Sequence, residues 1–231
     1  MDGLLFSQME PPPELEADFH DWYETEHIPV RMAVPGFREA VRYEAVEGSP
    51  RYLACYFLES LAALETPEYR EVKESPGART ERMLGSVHGF TRYTCEGVSD
   101  TAQPGVPSAT APGSLLFVAT FDVPQDAAAE FDAWYEEEHV PLLMKADGWL
   151  RVRRFRTLPG HVGPSWTHFA LHELRDASVL DAPERAAARS TPWRDRLAEA
   201  EWFNRSGRWL YRPIHSAASG TAGGPPSSGR R

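Results

Sequence analysis

The sequence predicts an α+β fold built from two tandem βαββαβ units, and three observations carry that prediction. The first is a repeated eleven-residue block. Phe19-His-Asp-Trp-Tyr-Glu-Thr-Glu-His-Ile-Pro29 and Phe131-Asp-Ala-Trp-Tyr-Glu-Glu-Glu-His-Val-Pro141 are identical at seven positions. The second is order: Leu4-Leu5-Phe6 matches Leu115-Leu116-Phe117, Gly36-Phe37 matches Gly148-Trp149, Arg42-Tyr43 matches Arg154-Phe155, and Glu65-Thr-Pro-Glu68 matches Asp181-Ala-Pro-Glu184. Matches in a constant order mean duplication of a supersecondary unit. The third is composition. Residues 97–113 (GVSDTAQPGVPSATAPG) and the tail beyond Pro213 are rich in Pro, Gly, Ser, Thr and Ala, with little to build a core. The expected organisation is therefore a unit at 1–96, a linker at 97–113, a second unit at 114–213 and a disordered tail at 214–231.

Within each unit the elements follow from periodicity. A short apolar run, Leu4–Met9 or Leu115–Val123, reads as the first strand. A helix follows over Pro13–His27 and over Asp126–His139, with Phe19, Trp22, Tyr23 and Glu26 recurring at helical spacing. Pro29 is expected to end it, because a proline pushes the residue before it out of the α region. Arg38–Val46 and Leu150–Leu158 read as second strands, Tyr52–Glu59 and Trp166–Leu174 as third strands. Ala62–Glu74 and Val179–Arg189 read as second helices. An irregular stretch then leads to a last strand near Gly89–Cys95 and near Arg208–Pro213. Four antiparallel strands with both helices on one face make the ferredoxin-like arrangement. Each unit would leave one sheet face bare, so the two sheets are expected to pack face to face and enclose space.

Charge and composition exclude several functions. With 34 acidic against 24 basic residues and a net charge of −10, the chain has no surplus of basic side chains to follow a phosphate backbone. Cys55 and Cys95 form no CxxC pair and lack a nearby His at ligand spacing, which argues against a disulfide framework or structural zinc. No apolar run approaches the ~20 residues that span a bilayer. No phosphate loop, GxSxG elbow or HExxH motif occurs. The expected protein is cytoplasmic, without a metal or cofactor, without nucleic-acid or membrane partners, and either a monomeric pseudo-dimer or a homodimer.

The repeated block also carries candidate chemistry. On a wheel of 100° per residue, Phe19, Trp22, Tyr23 and Glu26 share a face with His27 at its edge. Phe131, Trp134, Tyr135, Glu138 and His139 repeat the pattern. A His at a helix C-terminus beside a carboxylate is expected to titrate near neutrality, with the imidazolium favoured, and to serve as an acid or base. Glu26 and Glu138 are expected to face Arg42 and Arg154 of the second strand. His168 and His172 lie on one face of a strand about 13 Å apart, too far to share a metal, with one of them lining a cleft.

WYETEHIP followed by Val34-Pro35-Gly36-Phe37 and Arg42-Tyr43 resembles the dimeric α/β-barrel superfamily, nearest its EthD-like branch, and the likeness extends over both units. It implies a barrel whose two halves here come from one chain. It further implies a small aromatic, lactone or polyketide-like substrate in the barrel cleft and a first-helix His, here His27 or His139, as general acid/base. The substrate-binding set would be Trp22, Tyr23, Glu26, Arg42, Trp134, Tyr135, Glu138, Arg154 and His168. The expected function is a cofactor-independent cyclase, isomerase or dehydratase of the kind found in secondary metabolism. Two other readings fit the same barrel: a cofactor-free or haem-assisted monooxygenase, and a non-catalytic ligand-binding or stress-response protein.

Overall fold

The computed structural model describes residues 2–219. In the first half, β1 (Gly3–Met9) leads through a turn of 3-10 helix to α1 (Glu16–Trp22) and α2 (Ile28–Met32). Then come β2 (Phe37–Ala45), β3 (Tyr52–Leu58), α3 (Pro67–Glu74), α4 (Ala78–Ser86) and β4 (Tyr93–Ala102). The second half repeats this as β5 (Leu115–Phe121), α5 (Ala128–Trp134), α6 (Val140–Leu143), β6 (Trp149–Thr157) and β7 (His168–Leu174). It ends with α7 (Pro183–Ala188), α8 (Pro192–Ala198), α9 (Glu201–Asn204) and β8 (Ser206–Ala218). The stretches expected to be irregular are thus helices α4, α8 and α9. Thr66 and Thr191 show why helices start there: each hydroxyl caps an N-terminus, accepting from the backbone N–H of Tyr69 and Arg194 at 3.2 Å, with a proline in the next position.

The eight strands close into one barrel in the order β1-β3-β2-β8-β5-β7-β6-β4. Each half keeps the order expected of its unit, and the halves join at their edges, β2 to β8 and β4 to β6. The two sheets are therefore one closed sheet rather than two stacked ones, which removes every exposed edge. Side chains of both halves fill the interior. Phe6 and Tyr93 sit 5.0 and 4.9 Å, ring to ring, from Phe169, among Leu4, Val41, Leu53, Val118 and Tyr211. Because the interior covers one face and helices cover the other, every residue of β3 and β7 is buried. The middle of the barrel is a packed core, and open space lies between the sheet and the helices of each half and beside Phe57, Arg153 and Phe155 where β4 meets β6.

Strand register corrects the match drawn at the first strands. Gly3 pairs with Leu58 and Leu115 with Leu174, so Leu4 corresponds to Leu116 and not to Leu115. A slip of one residue exchanges barrel and helix faces. Leu4 and Phe6 belong with Leu116 and Val118 to the interior, whereas Leu5, Met9, Ala119 and Phe121 pack under helices.

The repeated block does not end its helix at the proline. A π turn over Tyr23–His27 joins α1 to α2, with the Ile28 N–H reaching back five residues to the Tyr23 carbonyl. Tyr135–His139 does the same through Val140 and Tyr135. Inside an α-helix a proline lacks its N–H and presses on the carbonyl four residues back; a wider turn relieves both, and the helix continues. The consequence for the site is rotational. Five residues now make a turn, so His27 lies against Trp22, 4.2 Å away and tilted by 51°, and His139 stacks on Trp134 at 4.4 Å, while Glu26 turns outward.

The segment expected to be a loose linker is held throughout. Residues 97–102 extend β4 along β6. Residues 103–113 strap one end of the barrel, with backbone N–H groups of Thr110 and Ala111 donating to the buried carboxylates of Glu39 and Glu173 at 2.9 and 3.3 Å. Arg153 completes this cluster, donating to Glu173 at 2.6 Å and lying 3.7 Å over the Phe57 ring. Likewise β8 runs to Ala218, beyond the expected start of the tail at 214, and residues 220–231 lie outside the described residues. No helix among the described residues is long and apolar enough to cross a membrane.

Candidate active site

The second half holds a cavity, open at one side, between its sheet and its helices. Phe117, Ala119 and Phe121 of β5 floor it; Trp134, Tyr135, Trp149 and Phe203 wall it; His139 and His172 present imidazoles to it. His139 is fixed from two sides. Its ring stacks on Trp134 at 26° between planes, and its Nδ1 lies 3.1 Å from the Ala188 carbonyl. A carbonyl only accepts, so Nδ1 carries the proton and Nε2 keeps a lone pair. His172 is fixed in the opposite sense: its Nδ1 accepts from Trp149 Nε1 at 3.1 Å, which leaves the proton on Nε2.

Both rings are neutral at physiological pH. Burial depresses His139 to about 4, reinforced by Arg189, Arg194 and Arg154 and only partly opposed by the Ala188 bond. Burial, then the neighbouring His139 and Arg154, holds His172 well below the ordinary range. This reverses the expected imidazolium. The helix continues past each His through the π turn, so no C-terminal dipole acts there, and the adjoining carboxylates point elsewhere. Glu138 accepts from Trp134 Nε1 at 3.1 Å and from the Thr191 hydroxyl; Glu26 lies half-exposed against Arg79 at 2.7 Å.

The first half has its own cavity, lined by Met9, Tyr23, His27, Arg31, Tyr56, Tyr69, Lys73 and Arg92 among others. His27 sits where His139 does, against Trp22, but its buried Nδ1 finds no partner among the described residues. Burial, with Arg31 and Arg42, depresses it strongly. The Tyr56 hydroxyl is buried without a partner as well, and desolvation pushes its pKa up.

The remaining expected site residues fall outside these cavities or on their walls. Trp134 and Tyr135 line the second, Tyr23 the first, and Trp22 backs His27 while donating to Thr80 at 3.0 Å. Arg42 and Arg154 pair with Glu24 at 3.3 Å and Glu136 at 2.6 Å, not with Glu26 and Glu138: in each half the glutamate two residues earlier, at the start of the π turn, meets the strand. Arg154 also reaches Asp132 at 2.5 Å. His168 does not enter the cavity: its Nδ1 meets the Thr167 hydroxyl at 2.9 Å and its Nε2 lies 3.8 Å from Asp132. The strand histidine at the cavity is His172. Four arginines at the cavity, Arg185, Arg189, Arg194 and Arg208, went unmarked in the sequence, since they come from α7, the residue after it, α8 and β8 and share no spacing. Among the described residues no group of three or more His, Cys, Asp or Glu is placed to hold a metal ion.

No family model matches the chain, and no curated protein matches it. Solved structures do. An anthrone oxidase-like protein superposes with a TM-score of 0.66 at 15% identity, over 95% of this chain and 93% of that one. A proposed monooxygenase from Fusobacterium nucleatum subsp. nucleatum gives 0.61 at 9%, over 94% of each chain. A mutant chlorite dismutase from Candidatus Nitrospira defluvii gives 0.59 at 10%, over 93% and 91%. At such identities the likeness establishes the fold: a dimeric α/β barrel whose two ferredoxin-like halves are fused in one chain. Each of these three bears the name of an enzyme or of an enzyme-like protein.

Proposed function

We propose that the protein is an enzyme that removes a proton from a small aromatic or polyketide-like substrate in the cavity of the second half, with His139 as the base. The observation that carries this is the fixed, neutral imidazole: Nδ1 is engaged by the Ala188 carbonyl, the ring is clamped on Trp134, and Nε2 is left to the cavity. A base of such low proton affinity suits an already acidic donor, such as a carbon between a carbonyl and an aryl ring, since proton transfer is fastest when donor and acceptor are matched. The Nε2–H of His172 and the arginines at the wall supply hydrogen bonds and positive charge for the resulting enolate.

From that anion two outcomes branch. Return of the proton to another atom, or loss of a leaving group, gives the isomerase, cyclase or dehydratase reading. Reaction of the carbanion with dissolved oxygen, turning a CH₂ into C=O with release of water, gives the oxygenase reading. The names carried by the matched structures favour the second, and the apolar aromatic walls admit oxygen as readily as they exclude water.

The experiment compares His139→Ala with His27→Ala on phenolic, lactone and anthrone-type substrates, with oxygen consumption followed alongside product. His139→Ala is expected to lower kcat/KM by about 10²–10⁴-fold, the range for one general base, and His27→Ala by less than about tenfold. In the wild type the acid limb of kcat/KM should fall near pH 4 rather than 6.5. Full activity in both single variants and the double variant ends the acid/base reading. Turnover without oxygen selects the isomerase branch, and a Soret band in the purified protein would transfer the oxygen chemistry to a haem. Tight retention of ligand without product would make the protein a binding module.

A further inference from the structure

Many arginines of this chain meet a carboxylate. Arg42, Arg51, Arg79, Arg151, Arg153, Arg154 and Arg212 each lie within 4 Å of one. Among the described residues most arginines at the second cavity do not, as is also true of Arg31 and Arg92 at the first. Among the described residues Arg185, Arg189 and Arg208 have no carboxylate partner. Arg185 donates to the Leu180 carbonyl at 2.6 Å, and Arg194 reaches only its exposed neighbour Asp195, at 3.5 Å. Four like charges therefore border one apolar cavity in a molecule whose net charge is −10.

The first half bonds one of these positions differently. By strand register Arg92 occupies the place of Arg208. By the matched Pro-Glu pairs, Tyr69 occupies the place of Arg185, and Lys73 that of Arg189. There Arg92 donates to the Tyr69 hydroxyl at 2.7 Å. In the second half the acceptor is replaced by another cation, so the pair repels instead of bonding. Burial followed by the neighbouring arginines lowers the proton affinity of both Arg185 and Arg208. Such an arrangement is stable only at a cost.

We propose that Arg185, Arg189, Arg194 and Arg208 form the anion subsite of this cavity, and that its substrate is a planar aromatic carboxylate. The ring would lie among Phe117, Trp134, Trp149 and Phe203, and the carboxylate would take the forked N–H groups that guanidinium offers in matching geometry. The bound anion also reverses the local field at His139, raising the proton affinity of the imidazole when substrate is present and making it a better base only then. This inference rests on the reading of His139 as the base for the substrate in this cavity, and it fixes the substrate's charge.

Binding rather than turnover tests it. 2-Naphthoate and its neutral counterpart 2-naphthamide would be titrated into the full-length protein, with tryptophan fluorescence or calorimetry as the readout. The wild type should bind the carboxylate at least about tenfold tighter, with an affinity that weakens as NaCl rises while that of the amide does not. Arg185→Gln with Arg208→Gln should abolish the preference, and His139→Ala should keep it. Without ligand, the double arginine variant should melt at or above the wild-type temperature, since repulsion has been removed. Equal affinity for the two probes, a preference that survives the double variant, or a double variant that melts well below the wild type would each overturn the subsite. Loss of the base reading would show separately, as retained turnover in His139→Ala.

Discussion

The two cavities began as copies and now differ in what surrounds an unchanged motif. Both keep Trp, Tyr and His in the same π-turned helix, and both set the imidazole against the tryptophan, tilted by 51° in the first half and stacked at 26° in the second. In the first half, however, the His27 Nδ1 is unpartnered among the described residues, and tyrosines stand at positions 56 and 69. In the second, the Ala188 carbonyl orients His139, while His172 and Arg185 replace those tyrosines. The motif is thus a property of the frame. The proposed chemistry depends on the second contact each histidine makes, and among the described residues only His139 has it.

The barrel interior differs between the halves in the same way, and there the largest effect on stability is expected. Glu173 of β7 stands where β3 has Phe57. It accepts from Arg153 and the strap's Ala111 N–H while almost wholly buried. Glu173→Ala leaves the Arg153 charge without its partner, and breaking a buried pair in this way costs roughly 3–5 kcal/mol. Urea unfolding would measure it. A loss below about 1 kcal/mol would mean that Arg153 escapes to solvent and that the strap does not depend on the pair. Phe57→Leu, which keeps apolar volume, should cost less than half as much.

What was legible in the sequence follows from which forces act locally. Duplication, strand positions and the aromatic stripe were readable because burial imposes periods of 2 and 3.6 on the residues themselves. The π turn was not: a wheel of 100° per residue assumes uniform helix, so it placed Glu26 inward and read Pro29 as a terminus. The strap was missed because its hold is through the backbone N–H groups of Thr110 and Ala111, which composition does not report. Pairing of β2 with β8 and β4 with β6 joins residues from opposite halves, so neither half's pattern announces it. The arginines converge from three elements and one loop position; only the fold brings them together.

A smaller effect separates the halves by pH. Burial holds His139 and His168 to about 4 and His172 well below its ordinary range, while the first half contributes His27 and the partly exposed His20. An unfolded imidazole takes up its proton near pH 6.5, whereas His139 and His168 resist until about 4 and the others are shifted the same way. Between those values the unfolded state binds more protons, so stability is full above about 6.5 and declines as pH falls toward 4. The urea midpoint should therefore be lower at pH 5 than at pH 7.5. Replacing His168 and His172 by the first-half tyrosines should flatten that decline relative to the variant's own value at pH 7.5. An unchanged slope would locate the titrating groups elsewhere.

The smallest difference concerns the two arginines behind the helices. Arg154 donates to Asp132 and Glu136 at 2.5 and 2.6 Å and lies 4.4 Å over Tyr135. Arg42 lies the same way over Tyr23, at 4.3 Å, but has one carboxylate, Glu24 at 3.3 Å, and a buried Nη2 with no partner among the described residues. A well-bonded charge is costly to lose, whereas an under-bonded one already bears part of its desolvation cost in the folded state. Methionine keeps much of the arginine stem's volume in both places. Arg154→Met is therefore expected to cost about 2 kcal/mol, tempered because Asp132 and Glu136 can turn to water, and Arg42→Met less than about 1. If Arg42→Met proves as damaging as Arg154→Met, stacking on the tyrosine rather than ion pairing holds both arginines, and the two halves are alike at this point after all.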